Sequence, residues 1–79
     1  MPLFQGDWVA LARNDITVIT SKDQVEAEIL GNHGVIPLPP PDSLMWFVSG
    51  KPVASSQIPA NEREDMWLDI AYAVIREVH

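Results

Sequence analysis

The sequence contains no cysteine, so neither a disulfide framework nor a thiolate zinc site is available to staple the fold. Positive charge is scarce: five lysines and arginines stand against eleven aspartates and glutamates, a net charge of −6. That balance repels phosphate backbones and argues against direct nucleic-acid binding. There is no apolar run near the ~20 residues that a membrane helix needs. The start Met1-Pro2-Leu3-Phe4-Gln5 has neither the basic region nor the long apolar stretch of a secretory signal. The expectation is a cytoplasmic protein without membrane contact. Ser43, Ser55 and Ser56 lie in no G-x-S-x-G context, and Gly31-Asn32-His33-Gly34 lacks the lysine and the strand-to-helix setting of a phosphate loop. No catalytic residue and no cofactor is therefore expected.

What is present is the composition of a folded domain, since 47% of the 79 residues are hydrophobic and only 20% charged. The length suits one domain and is too short for two. A core this small and unstapled must be supplemented by good helix packing or by self-association.

The chain is organised around residues 62–78. Trp67, Ile70, Ala71, Val74 and Val78 recur at steps of three and four, which on a 3.6-residue period makes one apolar stripe. Asp65, Asp69, Tyr72 and Arg76 follow the same spacing on the opposite, solvated face. Asn61 is placed to cap this helix, with Glu64 reaching back in a capping box.

Upstream, residues 7–20 read as a β-hairpin turning at Asn14-Asp15, which sets Leu11 opposite Val18 and Ala10 opposite Ile19. Val9, Leu11, Ile16 and Val18 then share one side of the sheet, and Trp8, Ala10, Ala12 and Ile19 the other. Residues 22–30 form a short helix begun by Ser21 and Gln24 and stopped at Gly31, with Val25 and Ile29 buried and Leu30 beside them. Residues 32–42 are a proline-rich connector, too poor in backbone donors for a helix or a central strand. Their P-x-x-P spacing suits an aromatic groove in principle, but no flanking lysine or arginine is present to orient such a peptide. A second hairpin spans 44–54, turning at Ser49-Gly50. Its first strand is apolar on both faces and so reads as covered on both, while Pro52 marks its second strand as an edge. Met45 and Phe47 point one way, Leu44, Trp46 and Val48 the other. The expected fold is α+β in the order ββαββα, an antiparallel sheet with a short helix and a long C-terminal helix on one face.

Two helices cover only one face of a small sheet, so the second face is either buried by the proline-rich segment or exposed as an interface. Its candidate interface residues are Trp8, Ala10, Ile19 and Trp46. His33, between glycine-flanked loop residues, is the candidate for an acid–base or ligand group, and Asp65 with Asp69, one helical turn apart, for a hard-cation site. A solvated acidic helix face accounts equally for the two aspartates. The function expected from these features is a small acidic, non-catalytic protein-interaction module: an adaptor, accessory subunit or inhibitor, with a protein partner or a second copy as its occupant. The alternatives are an acidic nucleic-acid mimic that blocks a basic groove, and a small enzyme or metal-binding protein using His33 with Asp65 or Asp69.

Overall fold

Strands in this chain are joined by two-residue turns wherever a residue that tolerates positive φ falls between two apolar runs. The computed structural model describes residues 1–37 and 43–78, apart from the side chain of Val78. In it β1 (Leu3–Gln5), β2 (Trp8–Arg13) and β3 (Ile16–Ser21) are followed by helix α1 (Lys22–Gly31). β4 (Met45–Val48), β5 (Lys51–Val53), a 3-10 turn at Ser55–Gln57 and helix α2 (Ala60–Val78) complete the chain. The five strands form one antiparallel sheet in the order β1-β2-β3-β4-β5. At the first position of the three tight turns φ is positive, at Gly6 (59°), Asn14 (55°) and Ser49 (50°), as hairpins matched to strand twist require. Residues 38–42, most of the expected proline crossover and its P-x-x-P, lie outside the described residues, as does His79.

The expected α+β architecture is present, with one further strand. Leu11 does lie opposite Val18 and Ala10 opposite Ile19. β1 extends the sheet beyond β2 and places Phe4 opposite Val9. It escapes a sequence reading because three residues carry almost no periodicity, although Gly6-Asp7 between two apolar runs is itself a hairpin signal.

One face of the sheet is dry. Val9, Leu11, Val18 and Trp46 form a buried cluster with Val25 and Ile29 of α1 and Met66, Trp67, Ile70, Ala71 and Val74 of α2. Each valine, leucine, isoleucine or methionine among them contributes roughly 1.5–3 kcal/mol by leaving water. At ten residues α1 is too short to persist alone, so its docking through Val25 and Ile29 is what keeps it helical. Leu30, expected beside that buried edge, is exposed. β4 is not covered on both sides either: Met45, pointing away from the helices, is 45% exposed.

The helix ends depart from expectation in an informative way. Ser21 Oγ accepts from the Gln24 amide at 3.3 Å, as its sequence context implies. Gly31, however, remains inside α1, and the left-handed residues are His33 (φ 57°) and Gly34 (φ 84°). The His33 amide donates to the Leu30 carbonyl at 3.1 Å and the Gly34 amide to Ile29 at 2.9 Å, the paired bonds of a Schellman stop. His33 thus occupies the position glycine usually fills. We expect His33→Gly to raise stability by about 0.5–1 kcal/mol, seen as a melting temperature about 3–6 °C higher. A lower melting temperature would contradict that role.

At the other helix, α2 starts at Ala60, and the first helical bond runs from the Arg63 amide to the Pro59 carbonyl at 3.0 Å. Asn61 lies within the first turn, so the expected Asn61–Glu64 capping box gives way to a start at Pro59, which flanks the helix and accepts its first bond while lending no N–H that the helix would leave unpaired. The Arg63 guanidinium donates to the carbonyls of Ser55 (2.7 Å) and Ile58 (2.9 Å), tying the preceding turn to the helix.

Candidate functional site

Because side chains alternate along each strand and the register is continuous from β1 to β5, the second face of the sheet can be read row by row. One row runs Leu3, Ala10, Ile19, Met45; the next on one side runs Gln5, Trp8, Ser21, and on the other Ala12, Thr17, Phe47, Pro52. None of these eleven positions is charged. Leu3 is 72% exposed, Trp8 51% and Met45 45%. Neither α1 nor α2 packs on this side, since their buried residues belong to the cluster on the opposite face. A cleft of about 380 Å³ opens at the sheet end, lined by Trp8, Met45, Ser21, Thr20, Ser43 and Gln24.

Three of the four expected interface residues, Trp8, Ala10 and Ile19, lie together on this face. Trp46 does not. It pairs with Val18 in β3, points toward the helices and is 2% exposed, so it is a core residue. Among the described residues its indole N–H has no hydrogen-bond partner. The side chains that β4 gives to the open face are Met45 and Phe47. The expected split within β4 was correct. The register of β4 against β3 decides which half joins Trp8.

The described ends of the proline connector are both held on the helix side. Trp67 Nε1 donates to the Pro37 carbonyl at 2.8 Å, and the buried Thr20 hydroxyl donates to the Ser43 carbonyl at 2.8 Å. Whether prolines cross the open face turns on residues 38–42, outside the described residues.

The expected polar groups fall elsewhere. Arg13 Nη2 donates to Asp69 Oδ2 at 2.9 Å, while Arg13 Nη1 stands 3.7 Å from Glu62 Oε2 and 3.9 Å from Asp65 Oδ2. The three carboxylates are gathered by an arginine at the hairpin tip, and this network pins that tip to α2. Each pair is partly exposed and individually weak. His33 is exposed at the end of α1, where its backbone conformation accounts for its position. Among the described residues no group of three or more histidine, aspartate or glutamate side chains is placed to hold a metal ion. No helix among them is long and apolar enough to cross a membrane.

The fold and this face define the class: a small α+β protein whose five-stranded antiparallel meander carries both of its helices on one side. Set against known protein families, curated proteins and solved structures, the chain matches none.

Proposed function

We propose that the chain is a small acidic, non-catalytic protein-interaction module, an adaptor, accessory subunit or inhibitor, that works through the open face of its sheet. The observation that carries this reading is an eleven-position face without a charge, on which Leu3, Trp8 and Met45 are all substantially exposed. Contiguous apolar surface of this kind is costly to leave in water and usually marks an interface. Tryptophan is also the residue most often found anchoring one. Three of the five acidic residues that α2 would present as a nucleic-acid mimic, Glu62, Asp65 and Asp69, are drawn around Arg13, so that reading has less support.

The test is capture from native cell extract on immobilised chain, comparing wild type with Trp8→Lys and with the Asp65→Asn/Asp69→Asn double variant. A partner retained by the double variant and lost from Trp8→Lys is the expected result. The reverse pattern would transfer function to the acidic helix face and overturn this one.

A further inference from the structure

The open face differs from the rest of the surface in where the charge is. Eight of the eleven acidic residues sit on α1 and α2, in the layer behind the sheet. Two copies that met through their helices would bring those carboxylates together in a chain already at −6, at a repulsive cost. Two copies that met sheet to sheet would place them on opposite outer sides, with only uncharged rows between.

Resting on the interaction reading above, we propose that the occupant of this face is a second copy of the chain, the two sheets packing face to face about a two-fold axis. An isologous contact needs a surface that is complementary to itself, and an uncharged face meets the electrostatic part of that condition without a matching partner. A partner chosen for positive charge would be drawn to the helices instead.

Shape and area agree. Along β2 the large Trp8 is followed on this face by the small side chains of Ala10 and Ala12, which lie between Leu3 of β1 and Ile19 and Thr17 of β3. The cleft between Trp8 and Met45 adds a hollow at the sheet end. Protrusion and depression are thus both present on one surface, as interdigitating sheets require. At strand spacings of about 4.8 Å and rises of about 3.3 Å per residue, the face is roughly 20 Å across and as long at its middle, narrowing at the three-residue edge strands; two of them pressed together remove roughly 700–800 Å² from water, the size of a small and weak interface. Association through strand edges is the poorer route. Both edge strands, β1 and β5, are three residues long, and β5 carries Pro52.

Sedimentation velocity from about 1 to about 300 μM tests this, with a dissociation constant of about 10–100 μM expected for an interface of this size. Tryptophan emission should shift to the blue over the same range, because Trp8 is half exposed while Trp46 and Trp67 are already buried. Met45→Lys and Ala12→Lys, each with an unchanged far-ultraviolet circular dichroism spectrum, should weaken dimerisation at least tenfold by setting like charges against each other across the axis. Leu68→Lys on α2 should leave it unchanged. A wild-type chain that stays monomeric throughout overturns the second-copy assignment; if Trp8→Lys then still loses a different captured protein, the interaction face stands and only its occupant was wrong. A dimer untouched by both lysine variants overturns the face-to-face arrangement, and partner capture untouched by Trp8→Lys overturns the interaction reading as well.

Discussion

Trp67→Ala should abolish the cooperative thermal transition or lower its midpoint by more than about 12 °C. Trp67 is 1% exposed and belongs to the buried cluster that α2 shares with the sheet and α1. Truncating a buried tryptophan to alanine costs roughly 3–5 kcal/mol, the sum of lost transfer energy and the cavity left behind. A chain of this length has roughly 4–12 kcal/mol to lose. At about 4–8 °C per kcal/mol for a domain of this size, the expected shift is about 12–40 °C, and a chain at the low end of that stability range would lose its folded state altogether. A second effect is specific to this residue: its indole N–H is the hydrogen bond to Pro37, thirty positions away, that fixes the entry of the connector. Trp67→Phe separates the two, keeping most of the ring while losing the donor, and should cost about 1–2 kcal/mol. An alanine variant that melted within a few degrees of wild type would mean that α2 is not the element the sheet is built against.

How much of this was legible in the sequence follows the range over which each feature is determined. The hairpin register at Leu11 and Val18 is set by a two-residue turn and an alternating pattern, both local, and it was legible. So was the stripe of Trp67, Ile70, Ala71 and Val74, although Met66 and Ala73 prove to be buried too, because the stripe is wider than a strict three-and-four spacing implies. Trp46 belongs to the core face, contrary to the sequence expectation, for a non-local reason. Alternation within β4 separates Trp46 from Met45, but only the pairing of Ile19 with Met45 across a long connection says which of them shares a face with Trp8. His33 looked like a candidate functional group because a loop histidine has no local explanation in sequence; the Schellman geometry supplies one. The candidate face was legible as a question of what covers Trp8 and Ile19. The structure adds Leu3, Met45 and Phe47 to it.

Arg63 is the residue that a sequence reading values least correctly, since on an acidic helix it resembles an ordinary partner for surface carboxylates. Its guanidinium instead donates to two backbone carbonyls, Ser55 at 2.7 Å and Ile58 at 2.9 Å, in a partly buried setting. Hydrogen bonds from a charged donor are each worth about 1.5–3 kcal/mol, and removing the donor leaves acceptors that water reaches only in part. Arg63→Met keeps the length of the stem and deletes the donors, so it should cost about 2–3 kcal/mol, or roughly 8–20 °C in melting temperature. Salt provides the discriminating measurement. A carboxylate pair at the surface would lose its value as ionic strength rises, whereas short bonds to neutral carbonyls would not. The penalty of Arg63→Met should therefore be the same within error at low and high salt. A penalty that vanished in high salt would return Arg63 to the role of a surface ion-pair partner. The loss should be concentrated at one end of the molecule. Ser55, Ile58 and Pro59 lead into α2, and without the clamp the turn that delivers the chain from the edge strand β5 to that helix keeps its own local bonds, Gln57 to Ala54 at 2.9 Å, Ile58 to Ser55 at 3.1 Å and the Ala54 amide to Gln57 Oε1 at 3.0 Å, and the burial of Ile58, but loses its tie to the first turn of α2. Amide exchange should accordingly quicken first at residues 54–63, while the β2–β3 amides that carry the open face keep their protection.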